Sequence, residues 1–285
     1  MSKHRVCFSQ ARWAYLGVRL SITIHHDARI YSPDLHATLE LPQRVPVSED
    51  PIDDPEICIG SGYSESKWVA ERILLEANKT DLNISVVRLG QISGGYNGYW
   101  NEREWFPAIV KSAIHIRCLP ALELVSHDNL LGDQVDRPFQ STGIAWVPAH
   151  EAATVLTELR DCKEPVLHLA HPSPVPWTTV IKPIAADLGV ALVSYTIWLA
   201  ALEDQLSVDD TSSMDKMRVI PALRLLDHFR SHNTGPSKDS MGEVRMDVSK
   251  LWHELPDLHI PAITADSARR WIEAWRKCGF MPEAT

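Results

Sequence analysis

The strongest constraint on the fold is a long helical stretch that leads directly into a short strand and a glycine. Residues 64–77 contain neither Gly nor Pro, so a helix can run through them, and Ser61 or Ser64 can cap it. Its apolar residues recur at a helical spacing and predict a buried stripe; they are Val69, Ala70, Ile73, Leu74 and Ala77. The β-branched run 84–89 then ends at Gly90, as a buried parallel strand does. This order predicts an α/β fold, in which ligands bind beyond the carboxyl ends of the strands.

Two residues of this helix suggest chemistry. Tyr63 and Lys67 are four positions apart, so their side chains share one face. An ammonium beside a phenol favours ionisation of the phenol, and Tyr63 can then pass a proton to a substrate oxygen. The alternative is a solvated lysine beside a half-buried tyrosine, because the spacing alone is common. The α/β context favours the chemical interpretation.

Composition narrows the class of protein. The chain has 285 residues, 45% of them hydrophobic and 23% charged, which is ordinary for a globular protein. A net charge of −9 argues against nucleic-acid binding, and no apolar run is long enough for a membrane span. Five scattered cysteines without a C-x-x-C pair indicate free thiols in a reducing compartment, so we expect a cytoplasmic protein.

The helix and strand resemble a known family. Gly62-Tyr-Ser-Glu-Ser-Lys-Trp-Val-Ala-Glu-Arg-Ile-Leu74, followed by Val87-Arg-Leu-Gly-Gln-Ile-Ser-Gly94, is similar to the thioester reductase domain of nonribosomal peptide synthetase-like and adenylate-forming reductases. These domains are extended short-chain dehydrogenase/reductases of secondary metabolism. Supporting similarities are Pro51-Ile-Asp-Asp54, the helix entry 146–153, the last sheet strand 166–172, and the C-terminal helices around 220–226 and 268–272.

The resemblance implies a fold and a division of the chain. The fold is a partial Rossmann-like parallel sheet with a smaller, mainly helical C-terminal subdomain that binds substrate. We expect a divergent N-terminus over residues 1–44 and the C-terminal part of the reductase domain over 45–171. The helical subdomain then occupies residues 172–285, after a proline-rich boundary.

The resemblance also implies a reaction. In the family, NADPH delivers hydride to the acyl carbon of a thioester on a carrier protein's pantetheine, which leaves an aldehyde that some members reduce to the alcohol. Tyr63 would donate the proton to the developing oxyanion, and Lys67 would hold the ribose hydroxyls. The backbone of Gly90, Gln91 and Ile92 would pack beside the nicotinamide. A Ser or Thr normally completes the site, and Ser9 and Thr23 are both candidates.

The glycines ahead of Tyr63 leave the cofactor open. A dinucleotide fold begins with a strand, a glycine-rich turn and a helix, but the only upstream glycines are Gly17, Gly60 and Gly62. We therefore expect a C-terminal part without the first mononucleotide-binding half. Three alternatives follow: an NADPH-dependent reductase of the short-chain dehydrogenase type, a truncated and inactive remnant, or an extended dehydrogenase acting on a free carbonyl or a nucleotide sugar. A partner protein that supplies the missing half is compatible with the first.

Other residues have competing interpretations. Arg88 can reach a cofactor phosphate or pair with Glu71, and pairing with Glu71 is the preferred prediction. His168 and His171, with His25 and His26, lack partners at metal-ligand spacing, so we expect no metal. Tryptophans 100, 105 and 146 either line an acyl pocket or pack in the core. Trp271 and Trp275 are four apart and predict one packed helix face.

Overall fold

The structure is a computed structural model, and it describes residues 22–24 (as backbone), 46–59, 62–80, 82–122, 143–207, 213–233 and 246–283. The chain forms two compact units, and each is assembled from three separate stretches. The first unit comprises Met1–Ser93, Ala145–Ser173 and Glu243–Ala262, and the second comprises Gly94–Ile144, Pro174–Gly242 and Ile263–Thr285. The contiguous division at residues 44 and 171 stays a prediction.

The first unit alternates helices and short strands. Its elements in chain order are β1 (Ile22–Ile24), a 3-10 helix (Pro55–Cys58), α1 (Gly62–Ala77), β2 (Val86–Leu89), β3 (Ile92–Ser93), β6 (Val147–Pro148), α3 (Ala149–Glu158), β7 (Val166–Leu169) and α8 (Ser249–Glu254). The second unit contains α2 (Trp105–Ile116), β4 (Cys118–Ala121), β5 (Gly143–Ile144), β8 (Val175–Pro176), α4 (Thr178–Leu188), β9 (Ala191–Ser194), α5 (Tyr195–Ser207), α6 (Ser213–Val219), a 3-10 helix (Pro221–Leu225), α7 (Leu226–Asn233) and α9 (Ala265–Lys277).

A parallel sheet of order β1-β2-β7 forms the centre of the first unit. Successive residues of β2 face opposite sides of this sheet. Val86 packs with Leu74 and Leu75 of α1, whereas Val87 and Leu89 pack with the core around α3 and α8. Helices on both faces of a parallel sheet confirm the predicted α/β fold. The buried strands predicted after the helix and near residue 166 are confirmed as β2 and β7.

The apolar stripe predicted on α1 is wrong at two positions. Val69 and Ile73 are 49% and 54% exposed. The buried side of the helix carries Leu74 and Leu75 together with Glu71, because that carboxylate has a buried partner described below. At 3.6 residues per turn the five apolar residues cover one arc of about 140°, and the buried side of the helix is rotated past the Leu74 edge of that arc toward Glu71.

Aromatic side chains fill the core of the second unit. Trp100 stacks on Phe106 with ring centroids 5.0 Å apart and meets Trp271 edge-on at 4.9 Å. The indole N–H of Trp275 donates to the carbonyl of Trp100 at 3.2 Å. The face predicted for Trp271 and Trp275 is confirmed, since both are buried on α9. Trp105 and Phe106 open α2, which carries eight buried residues into this core.

Glycines are required where the backbone of the second unit makes close approaches. Gly98 has a φ of +77°, and a Cβ there would come within 2.1 Å of the carbonyl oxygen of Arg270. Gly189 has a similar φ of +61° at the end of α4, but a Cβ there meets nothing within 4 Å. The two glycines share a backbone conformation and differ in the space around them.

Within the described chain, no helix is long and apolar enough to cross a membrane.

We expect Gly98→Ala to destabilise the protein far more than Gly189→Ala. Gly189→Ala carries the cost of a left-handed backbone, about 1–2 kcal/mol. Gly98→Ala adds a collision with a helical backbone that cannot rotate away, so its free energy of unfolding should fall by at least about 2 kcal/mol more. Urea unfolding of the two variants measures the difference. Equal losses would contradict the close approach at Gly98.

Candidate active site

The first turns of α1 carry the candidate catalytic pair. The Nζ atom of Lys67 lies 5.2 Å from the centroid of the Tyr63 ring, so the two side chains lie side by side, as their spacing predicts. Tyr63 is 44% exposed and Lys67 is partly buried. The ammonium therefore lies within cation–π distance of the aromatic ring. Their catalytic roles stay predictions.

The segment before α1 holds the helix in place. The indole N–H of Trp68 donates to the carbonyl of Ile52 at 2.9 Å, and Arg72 forms an ion pair with Asp53. Ser64, a candidate cap, is instead the third residue of the helix, so that prediction is wrong. Ser61, the other candidate, lies outside the described residues.

The loop after β2 contains the other predicted site residues. The amide of Gly90 donates to the carbonyl of Leu169 at 2.9 Å. The carbonyl of Gln91 accepts from the amide of Val147 at 3.0 Å, and its side chain donates to the carbonyl of Ile92 at 2.8 Å. The loop is therefore fixed by backbone hydrogen bonds to β7 and β6.

The helix pair and the loop lie at the same end of the sheet. Leu74, near the end of α1, packs with Val86, whereas the earlier residue Glu71 reaches the later residue Arg88. The helix therefore runs antiparallel to β2, and its start lies at the carboxyl end of the strand, where Gly90 follows. Ligands of parallel α/β sheets bind at this end.

Beneath this end lies a buried guanidinium. Arg88 is 1% exposed and donates from Nε and Nη2 to the two carboxylate oxygens of Glu71, at 3.0 and 2.6 Å. Nη2 also donates to the carbonyl of Asp50 at 2.9 Å. Nη1 donates to the carbonyl of Ser48 at 3.5 Å and lies 3.0 Å from Nε2 of His168. The preferred prediction, that Arg88 pairs with Glu71, is confirmed.

His168 is held neutral by its surroundings. It is buried beside Arg88 in the register of the sheet, and burial and the neighbouring guanidinium lower its pKa to about 3. Because Arg88 donates to Nε2, the proton of the neutral ring is on Nδ1, which lies 2.8 Å from the carbonyl of Asp247 and donates to it.

Glu49 and Lys250 extend the polar network, and sequence reasoning missed both. Glu49 is buried and accepts from the amides of His168 and Lys250, while burial raises its pKa. The Nζ atom of Lys250 donates to the carbonyl of Glu49 at 2.6 Å and to the carboxylate of Asp50 at 3.0 Å. These partners are about 200 positions apart, so no local sequence signal pointed to them.

The other residues singled out in the sequence are the histidines, the tryptophans and the Ser or Thr candidates. His171 hydrogen bonds to the carbonyls of Ser173 and Ile260, and no cluster able to hold a metal ion occurs among the described residues. The tryptophans at 100, 105 and 146 are buried, which favours core packing. The backbone of Thr23 pairs with Val87 in the sheet. Ser9, His25 and His26 lie outside the described residues.

Comparison with known proteins decides the family. The family model NAD_binding_4, described as male sterility protein, matches residues 23–136. The adenylate-forming reductase Nps10 of Heterobasidion annosum is 34% identical over 248 residues, which cover 83% of this chain and 21% of the relative. The chain contains a thioester reductase-like domain. The resemblance of the Tyr63 helix is thereby confirmed, and the domain is of the extended short-chain dehydrogenase type.

Solved structures confirm the fold of this reductase-like domain. The terminal R domain from the myxalamid PKS-NRPS biosynthetic pathway superimposes with a TM-score of 0.66 at 19% identity, over 93% of this chain and 60% of that one. A thiolation-reductase di-domain from an archaeal non-ribosomal peptide synthetase gives a TM-score of 0.60 at 13% identity, over 91% and 49% of the two chains. The reductase-like domain spans about a fifth of the length of Nps10.

We expect His168 to make the stability of the protein depend on pH. The unfolded chain protonates His168 below its ordinary pKa of 6.5, but the folded chain keeps it neutral down to about 3. Between these two pKa values the unfolded state binds more protons than the folded state. The free energy of unfolding therefore decreases as the pH is lowered, by up to about 1.4 kcal/mol for each pH unit. In His168→Gln this contribution is absent, and urea unfolding at pH 7 and pH 5 should show a smaller loss than in the parent.

A matched control uses an exposed histidine of α8. His253→Gln should keep the parent's difference in stability between pH 7 and pH 5, since that ring is exposed. An unchanged difference in His168→Gln would show that His168 does not remain neutral in the folded protein.

Proposed function

We propose that this chain takes part in the NADPH-dependent reduction of a carrier-bound thioester to an aldehyde. The observation that carries the proposal is the Tyr63–Lys67 pair, placed at the carboxyl end of a parallel strand beside the fixed loop at Gly90. This is the place and the pairing that a hydride-transferring dehydrogenase needs. The similarity to adenylate-forming reductases supports the class of reaction.

Lys67 is the residue that would hold a nicotinamide cofactor, and the loop at Gly90 lies at the same end of the sheet. At Gly90 an added Cβ would lie 3.3 Å from Ala170 and Met246, so the glycine lets the loop pack closely on the protein. Lys67 offers three N–H donors for ribose hydroxyls. When bound, the reduced nicotinamide supplies hydride to the acyl carbon.

Side chains of the protein would supply the proton to the substrate oxygen and stabilise the negative charge that develops. As the acyl carbon takes up hydride, its oxygen gains negative charge, and Tyr63 gives that oxygen its phenolic proton. Lys67 stabilises the phenolate that remains. Breakdown of the tetrahedral hemithioacetal to aldehyde and thiol takes up no net proton, and the Tyr63 phenolate regains its proton from solvent. The overall reaction therefore consumes thioester, NADPH and one proton.

The proposed partner is an acyl carrier protein bearing pantetheine. The solved thiolation-reductase di-domain joins such a carrier to a reductase in one chain, which supports this choice over a free carbonyl. The Ser or Thr that completes the oxyanion site stays a prediction, with Ser9 and Thr23 as its two candidates. No glycine-rich dinucleotide motif precedes Tyr63 in the sequence, so cofactor binding and turnover are measured separately.

We expect Tyr63→Phe to lower kcat at least about a hundredfold, since it removes the proton donor and keeps the ring. Lys67→Met should weaken NADPH binding, because the ribose loses its donors. NADPH fluorescence measures binding, and NADPH oxidation with an acyl-pantetheine measures turnover. Tyr99→Phe and Lys79→Met, at exposed positions, serve as controls and should match the parent.

The parent chain itself provides the decisive result. Tight NADPH binding with oxidation of an acyl-pantetheine supports the proposal, whereas binding with oxidation of free aldehydes alone favours a free-carbonyl dehydrogenase. A folded parent chain that neither binds nor oxidises NADPH overturns the proposal and favours an inactive remnant.

A further inference from the structure

One row of side chains on α1 links the candidate catalytic residues to the protein interior. Tyr63, Lys67 and Glu71 follow one another at four-residue intervals, so they lie along one face of the helix. Tyr63 is 44% exposed, Lys67 is partly buried, and Glu71 is only 4% exposed. The row therefore has one end at the surface and the other fixed beneath it.

The fixed end is held by two directional bonds. Both carboxylate oxygens of Glu71 accept from Arg88, one from Nε and one from Nη2. Two parallel bonds between two planar groups fix orientation as well as distance. Arg88 is itself immobile, because its other N–H groups donate to the carbonyls of Ser48 and Asp50 and to His168.

The position of this pair along the sheet determines the height of the helix. α1 rises about 1.5 Å per residue, so Lys67 lies about 6 Å and Tyr63 about 12 Å beyond Glu71 toward the carboxyl end. Gly90 follows Arg88 by two residues, or about 6.6 Å of strand. Lys67 is thus brought level with Gly90 by the contact between Glu71 and Arg88.

In the first half of the helix, Trp68 packs against Val47, Ile57 and Cys58. That contact and the bond to Ile52 fix the helix to the segment before it and not to β2. Leu74 and Leu75, which pack on β2, lie on the far side of Glu71 from Tyr63. Val69 and Ile73 are exposed and contribute little. Apolar burial is also non-directional, so it sets where the helix lies more than how it is rotated.

We propose that the buried Glu71–Arg88 pair is a positioning device for Tyr63 and Lys67, fixing the rotation and height of α1 against the carboxyl end of β2. Glu71 and Arg88 are positioning residues and touch neither cofactor nor substrate. This inference rests on the proposed function, and it adds the residues on which the geometry of that site depends.

Two substitutions of Glu71 separate positioning from stability. Glu71→Asp keeps the charge but shortens the arm, so the two bonds survive only if the helix moves by about 1.5 Å. Glu71→Gln keeps the length but removes the carboxylate that pairs with the buried Arg88, which is the larger loss of stability.

If the Glu71–Arg88 pair positions Tyr63, the variant with the larger loss of kcat is not the variant with the larger loss of stability. Glu71→Asp should lower kcat about tenfold or more, because small displacements of catalytic groups are costly, and should raise the KM for NADPH by a smaller factor. Glu71→Gln should lower kcat less, while shifting the urea midpoint more. If kcat instead follows the urea midpoint across both variants, the pair has only a structural role and the inference is overturned.

Hydrogen exchange, which does not depend on turnover, tests directly whether the Glu71–Arg88 pair holds the first half of α1. In Arg88→Lys the two directional bonds are lost and a point charge remains. Amide hydrogen exchange should then accelerate about tenfold over residues 66–70, which depend on the pair, but not over 74–77, which Leu74 and Leu75 hold. Acceleration over both stretches, or over neither, contradicts the inference.

The two proposals fail in different ways. A parent chain without turnover contradicts the proposed function, and the exchange measurement then decides the inference alone. A parent chain with turnover, in which Glu71→Asp retains full kcat, contradicts the inference and leaves the proposed function standing.

Discussion

A buried guanidinium on the central strand is the constraint on which the first unit depends. Arg88 cannot be removed from water without partners, because an unpaired buried charge costs several kcal/mol. Its partners come from the segment before the helix, from α1 and from β7. Each of these stretches must therefore lie where the fixed fork of Arg88 can reach it.

Two neighbouring residue pairs on the face of the sheet that packs against α1 contact different halves of this helix. Val86 lies beside Val166, and this apolar pair packs against the later half of α1. Arg88 lies beside His168, and this polar pair holds the earlier half. The apolar pair contributes buried surface, whereas the polar pair makes hydrogen bonds that fix the orientation of the helix. The candidate catalytic residues lie on the half of the helix that these hydrogen bonds orient.

Local sequence predicted much of this and non-local contacts explain the rest. The helix, the strand after it, the pair of Tyr63 with Lys67 and the pair of Arg88 with Glu71 were predictable, because each depends on spacing within about 30 residues. The exposure of Val69 and Ile73 was not, since the buried side of the helix is rotated away from the apolar stripe toward a carboxylate, which no apolar pattern indicates. Glu49 and Lys250 were invisible for a different reason, because nothing near either residue indicates the other.

The distance between those last two residues also has a consequence for how the protein is made. Glu49 accepts a hydrogen bond from a backbone amide 201 positions later, and His168 donates to the carbonyl of Asp247 across 79 positions. Chains rich in such contacts fold slowly, since distant segments must meet before the contact stabilises anything. During synthesis, the polar network around Arg88 is therefore incomplete until Asp247 and Lys250 have been made, and until then the helix carrying Tyr63 lacks part of its hydrogen-bonded support.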